Sequence, residues 1–185
     1  MSITYKYLKF KIDANLLDEC KKLVYYNYDD RDLKDAITAC AIKSPDGMPN
    51  NMFKVYPDTC ESYRFTNICG VIPKTISAIN NFQCPTARIR ILKQQPQDVT
   101  PVHIDQENWY NPAEKHLRIW IAINKNPNFI CIFGKDEICL EAGQGVVFDP
   151  DTPHGEKNLD RSEARYSLNM IVKPNTWLKE NTIEH

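Results

Sequence analysis

Between Thr86 and Val172 the chain runs in short segments that alternate side chain by side chain, each with one aliphatic face and one face of different chemistry. Ala87, Ile89 and Ile91 alternate with Arg88, Arg90 and Leu92. Leu117, Ile119, Ile121 and Ile123 alternate with Arg118, Trp120, Ala122 and Asn124, and Tyr166, Leu168 and Met170 with Arg165, Ser167 and Asn169. A period of two marks a strand whose two faces meet different surroundings. Further strands are predicted at Val99 to Asp105, Phe129 to Phe133, Glu137 to Leu140 and Gln144 to Phe148, separated in part by Gly134, Gly143 and Gly145. So many short strands split by turns predict a mainly β chain with flanking helices, folded as a double-stranded β-helix, a jelly-roll barrel of the cupin-like type.

The first half differs. Tyr5 to Ile12 reads as a short strand, Leu16 to Tyr26 as a helix capped by Asp13, Leu33 to Ile42 as a second helix, and Ile72 to Asn80 as a third whose start is marked by Pro73. From Lys43 to Ile72 the composition turns irregular and carries Met52, Phe53, Tyr56, Tyr63 and Phe65, which suits a wall or lid over a pocket. The helices are expected to cover the aliphatic outer face of the barrel. At 185 residues the chain is expected to be one domain. Residues 1–85 would form a helical and irregular cover, 86–173 the jelly-roll core with its site, and 174–185 a tail.

Lysine and arginine number 23 against 24 aspartates and glutamates, so the net charge is −1, and no basic run offers a phosphate-backbone surface. Neither a signal-peptide pattern nor an apolar span is visible, so a soluble, cytoplasmic protein is expected. Seven cysteines without a Cys-x-x-Cys pair indicate reduced thiols used mainly in packing.

His103 and Asp105 are two residues apart, so on an extended backbone both side chains point to one face. A third ligand must come from elsewhere, and His154, after the proline-rigid Asp149 to Pro153 turn, is the candidate. Two histidines and a carboxylate on one side of a metal leave the other side open for cosubstrate and oxygen, as in non-haem iron(II) oxygenases. The other two histidines lack such a setting, His116 reading as a loop or edge residue and His185 as part of the tail. An anionic cosubstrate calls for an arginine, whose planar fork holds a carboxylate by two parallel bonds. Arg165, with Ser167 on its face, is the first candidate; Arg118 and Arg90 are the others.

In order, these segments resemble the aspartyl/asparaginyl beta-hydroxylase family of iron(II)- and 2-oxoglutarate-dependent oxygenases, which includes bacterial free-proline hydroxylases. Ala87 to Leu92 looks like the strand before the metal motif, and Pro101-Val102-His103-Ile104-Asp105 like the first metal segment. Arg118-Ile119-Trp120-Ile121-Ala122-Ile123 resembles the family's Arg-Leu-His-Ile-Pro-Leu strand. Glu141 to Asp149 resembles the segment leading into Pro153-His154, Asn158 matches a following asparagine, and Arg165 falls at the cosubstrate arginine. The resemblance spans about Ala87 to Val172 and leaves the N-terminal half unplaced.

The resemblance implies that His103, Asp105 and His154 bind iron(II) and that Arg165 binds the distal carboxylate of 2-oxoglutarate, with Arg118 near its metal-chelating end. It implies an oxygenase that uses O2 and 2-oxoglutarate to hydroxylate an unactivated C–H of an amino acid or amino-acid residue, releasing succinate. The substrate would be a small molecule or peptide. Trp120 replaces the family's histidine and implies a bulkier, more apolar wall. Gln106 to Asn111 could close over substrate. The alternatives are a cupin-type metal enzyme without 2-oxoglutarate and a non-catalytic ligand-binding barrel.

Overall fold

A computed structural model describes residues 5–27, 37–51, 60–105 and 116–184. In chain order the strands are β1 (Tyr5–Leu8), β2 (Tyr26–Asn27), β3 (Ile37–Ser44), β4 (Arg64–Phe65), β5 (Thr86–Gln94), β6 (Val99–His103) and β7 (Leu117–Ala122). Then follow β8 (Phe129–Phe133), β9 (Asp136–Ile138), β10 (Gly145–Phe148), β11 (His154–Asn158), β12 (Arg165–Val172) and β13 (Thr182–Ile183). The helices are α1 (Leu17–Cys20), α2 (Pro73–Asn80) and α3 (Thr176–Glu180). A large sheet runs β13-β1-β10-β7-β12-β5-β3-β2, with β4 on β3, and a small one runs β6-β11-β8-β9. Among the described residues all strand pairings are antiparallel, as in the jelly roll expected from the alternation.

Alternation along the strands divides the core in two. Ile89, Ile91, Ile119, Ile121, Leu168 and Met170 turn to the outer face of the large sheet, where Leu16, Cys20, Ile72 and Ile79 pack on them. Residues of the first half in and beside α1 and α2 therefore cover that face. Trp120, Ala122, Val146 and Phe148 turn inward to Phe129, Cys131 and Phe133 of the small sheet. Burying one such large apolar side chain contributes roughly 1.5–3 kcal/mol before entropy is counted.

Residues 1–85 do more than cover. β1 pairs with β10 and β3 with β5, so this half extends the large sheet at both ends. The expected helix from Leu33 to Ile42 is corrected to strand over Ile37 to Ile42, residues 33–36 lying outside the described set. Its residues from Ile37 to Ile42 are buried on both faces, which removes the polar alternation that identifies a strand. The expected helix from Leu16 to Tyr26 is shorter: a 3-10 turn at Ala14–Leu16, where Asp13 accepts from the Asn15 N–H, leads into α1, and the chain is extended again at Tyr26. The tail is not loose either, since α3 and β13 continue the fold and β13 pairs with β1. Met52, Phe53, Tyr56 and His185 lie outside the described residues, so the wall or lid reading of 43–72 is only partly covered. No helix among the described residues is long and apolar enough to cross a membrane.

Two polar clamps hold elements that a period-two reading does not reveal. Buried Glu19 of α1 caps α2: its carboxylate accepts from the Lys74 and Thr75 N–H groups and the Thr75 hydroxyl, each at 2.9 Å. These N–H groups have no partner inside their own helix. Between β11 and β12, one Asp160 oxygen accepts from the Ser162 and Glu163 N–H groups at 2.9 Å, and the other accepts from the Asn128 amide at 3.1 Å. The Ser162 N–H foremost, then that of Glu163, holds the Asp160 carboxyl down to about 2.

Glu19→Ala is expected to cost about 1–3 kcal/mol, read as a lower denaturation midpoint with an unchanged slope. An unchanged midpoint would show that solvent replaces the cap. For Asp160 the folded value lies below the unfolded one, so its contribution is present above about pH 4 and is lost as pH falls towards about 2. Asp160→Asn is expected to flatten that part of the acid-unfolding curve, and an identical acid limb would remove this carboxylate from the account.

Candidate metal centre

The site begins with one cross-strand pair. β11 lies between β6 and β8, and its first residue, His154, stands opposite His103 on β6 and Phe133 on β8. The β6 register shifts between His154 and Glu156. Gly155 sits at that shift, and a Cβ there would come within 2.9 Å of the Thr100 carbonyl oxygen and 3.2 Å of the Val102 Cα. Close approach of β6 to β11 thus needs a residue without a side chain. It brings the two imidazoles to 4.5 Å between ring centres.

Asp105 follows β6, its N–H donating to the Pro150 carbonyl. Its Oδ1 is 3.9 Å from His103 Nε2 and its Oδ2 is 3.8 Å from His154 Nε2. The three ligand atoms lie within 4.8 Å of one another. Both rings are oriented alike: His103 Nδ1 is 2.8 Å from the Pro101 carbonyl oxygen, and His154 Nδ1 is 2.7 Å from that of Thr152. A carbonyl only accepts, so each Nδ1 carries the proton and each Nε2 keeps its lone pair for a metal. Burial pushes His154 down to about 4, which keeps the imidazole neutral at physiological pH.

The large sheet supports this cluster through β7. Arg118 Nη2 donates to Asp105 Oδ2 at 2.5 Å, and both residues are buried. Burial, the largest single effect, works to raise the Asp105 carboxyl, yet Arg118 together with His154 and Arg90 outweighs it and leaves the group below the usual carboxylate range. Two residues along, Trp120 sets its ring edge-on to His154 at 5.4 Å and to Phe148 at 4.8 Å. The apolar wall expected from Trp120 is present and packs on a candidate ligand. Arg118 is no solvated exterior residue, and neither is Arg90, both lying inside the barrel.

Below the cluster the interior stays polar on the large sheet. Asn169 pairs with Arg90 and Trp120, Ser167 with Leu92 and Ala122, and Arg165 with Gln94. Arg165 is 2% exposed. Its Nη1 donates to the Asn124 carbonyl, its Cζ lies 4.7 Å from the Phe129 ring centre, and its Nε has no hydrogen-bond partner among the described residues. Burial lowers its pKa. A buried guanidinium with an orphaned donor fits a carboxylate ligand. Asn158 braces this end of the barrel, its amide donating to the carbonyls of Gln95 at 2.9 Å and Glu163 at 3.0 Å.

The structure therefore brings His103, Asp105 and His154 together and sets Arg165 deeper on the same interior. Arg118 lies at the cluster, against Asp105. His116 stands in the loop just before β7, as expected, and is buried there, its Nε2 3.8 Å from Cys60 Sγ. Sequence reasoning missed β11 and with it Glu156, which turns inward on the same face as His154. Burial pushes Glu156 up to about 7 against the pull of Arg165 and Arg90. The available signal was the alternation of His154, Glu156 and Asn158 with Gly155 and Lys157, reversed in polarity because the polar residues face in. All seven cysteines are free thiols, with Cys139 exposed. The expected closing segment Gln106 to Asn111 lies outside the described residues. A separate cavity of about 440 Å³, bordered by Lys21, Asn124 and Tyr166, lies away from this cluster.

Residues 21–174 match the family model described as Aspartyl/Asparaginyl beta-hydroxylase, which extends the likeness well into the half left unplaced by sequence. Solved structures share the fold. A 2OG-Fe(II) oxygenase family oxidoreductase from Burkholderia pseudomallei is 11% identical, with a TM-score of 0.54 over 86% of this chain and 76% of its own. The non-heme alpha ketoglutarate dependent epimerase SnoN from nogalamycin biosynthesis is 12% identical, with a TM-score of 0.59 over 94% and 79%. The viral collagen prolyl hydroxylase vCPH from Paramecium Bursaria Chlorella virus-1 is 11% identical, with a TM-score of 0.53 over 95% and 98%. A search of curated proteins gave no significant match. With the family model matched over most of its length and a His-Asp-His cluster inside the barrel, the chain belongs to the aspartyl/asparaginyl beta-hydroxylase family of oxygenases, enzymes that use iron(II), 2-oxoglutarate and O2.

Proposed function

We propose that this protein hydroxylates an unactivated C–H of an amino acid or amino-acid residue, with iron(II) held by His103, Asp105 and His154 and the distal carboxylate of 2-oxoglutarate held by Arg165. The observation that carries this reading is the convergence of two Nε2 lone pairs on one buried carboxylate, with both Nδ1 atoms engaged by backbone carbonyls. When bound, iron(II) with 2-oxoglutarate and O2 supplies the oxidation, and 2-oxoglutarate leaves as succinate and carbon dioxide.

The protein's own part is positional. Arg118 fixes the Asp105 carboxylate from the opposite sheet, so the carboxylate would be held ready for the metal. Trp120 and Phe148 wall off one side of His154 with apolar surface and exclude water there. Arg118 also lies close enough to the cluster to face the chelating end of the cosubstrate, while Arg165 offers its fork deeper in the barrel. In this reading the whole chain serves one site. The substrate class is an amino acid, free or in a peptide, and the protein works as a soluble cytoplasmic enzyme.

His154→Ala is expected to abolish both iron retention on dialysis and release of succinate from 2-oxoglutarate. Turnover retained in this variant would remove the metal assignment. A cupin-type enzyme without cosubstrate would give no succinate with any amino acid or peptide, and a binding barrel would show no decay of 2-oxoglutarate with iron and ascorbate. Arg165→Ala is expected to raise the 2-oxoglutarate Michaelis constant about 10- to 100-fold, the loss of a charge-assisted two-point contact. An unchanged value would pass that role to another group.

A further inference from the structure

One polar atom on the inner face of β7 has no part in the reading above. Trp120 is 7% exposed, and its ring lies 5.4 Å from that of His154, 5.5 Å from Phe133 and 4.8 Å from Phe148. A benzyl ring would serve these apolar contacts as well. The indole adds an N–H donor, and its buried Nε1 has no hydrogen-bond partner among the described residues. A donor shut off from water and left unpaired is unfavourable, and a buried indole N–H usually meets an acceptor.

Register gives the height of this donor in the barrel. One inward-facing position towards the mouth is Arg118, bonded to Asp105, and one towards the floor is Ala122, opposite Ser167. The floor is reached only at Asn124, whose carbonyl accepts from Arg165. The indole therefore stands at the level of the metal cluster, beside His154, and not at the level of the arginine. Its surroundings offer it no acceptor: Arg118 only donates, Ala122, Phe133 and Phe148 have apolar side chains, and Asn169 across β12 makes no bond to it. A 2-oxo acid reaching from the cluster to Arg165 would bring acceptor oxygens to this height with its 2-oxo-carboxylate end.

We propose that Trp120 is a cosubstrate-binding residue, its indole N–H donating a hydrogen bond to the 2-oxo-carboxylate end of 2-oxoglutarate. This rests on the reading of the cluster as the metal centre and of the barrel as the cosubstrate slot. Trp120 and Arg165 then hold opposite ends of one molecule. The arginine recognises the distal carboxylate, and the indole recognises the end that every 2-oxo acid shares. A neutral donor at the cluster adds affinity there without adding charge beside the buried imidazoles.

The test is anaerobic calorimetry of 2-oxoglutarate and of pyruvate, which lacks the distal carboxylate, against Mn(II)-loaded wild type, Trp120→Phe, Trp120→His and Arg165→Ala, with Mn(II) affinity measured first on each protein. Trp120→Phe keeps the wall and loses the N–H, and it is expected to bind both acids about tenfold more weakly while Mn(II) affinity stays at the wild-type value. Trp120→His keeps a ring N–H and is expected to stay within about threefold of wild type for both acids. Arg165→Ala is expected to weaken 2-oxoglutarate alone. Unchanged affinities in Trp120→Phe would overturn the inference, since water would then satisfy the indole. A loss confined to 2-oxoglutarate would overturn it too, because the donor would then serve the distal end. So would a histidine variant as weak as the phenylalanine one, or a fall in Mn(II) affinity that matches the fall for the acids, the mark of an indole that acts by holding His154 in place. If Mn(II)-loaded wild type binds neither acid, the cosubstrate reading itself fails and this inference falls with it.

Discussion

The ion pair between Arg118 and Asp105 joins the two sheets at the point where they carry the cluster. Arg118 belongs to β7 in the middle of the large sheet, and Asp105 follows β6 at the edge of the small one. Neither charge is stable in such a place alone, since an isolated buried ion loses several kcal/mol of hydration. Together they define the spacing between sheets, and with it the separation of Asp105 from the two imidazoles. The inner apolar cluster of Trp120, Phe133, Val146 and Phe148 fills the volume that this spacing leaves.

That arrangement explains why the barrel has two cores of different character. Outside the large sheet, aliphatic side chains meet the first-half helices and need only volume and shape. Inside, arginines, Asn169, Ser167 and Glu156 share the space with aromatics. A polar interior of this kind weakens a fold unless each group finds a partner. Among the described residues the rule is relaxed at the Nε of Arg165, the Nε1 of Trp120 and the Oγ1 of Thr100, and such places mark ligand sites more often than defects.

Much of the fold was legible because strands with one aliphatic and one polar face repeat a period of two, and β5, β7, β8 and β12 fell where that period placed them. Legibility failed where the period vanished or was inverted. β3 is buried on both faces from Ile37 to Ile42, so Ala39, Cys40, Ala41 and Ile42 read as well on a helix as on a strand. β11 points His154, Glu156 and Asn158 inward, which a polar-out reading takes for loop. At the site, the spacing of His103 and Asp105 foretold a shared face, and His154 was found from its turn. The grip of Arg118 on Asp105 and the burial of His116 beside Cys60 depend on which strands lie across the barrel, and a local pattern does not contain that.

Arg118 and Trp120 are alternate residues of a single strand, and each steadies a different member of the cluster, the first Asp105 and the second His154. A slip of β7 by one position would turn both outward at once. Support from the large sheet therefore reaches the carboxylate and the imidazole together or not at all, so a single strand register keeps both sides of the cluster in place.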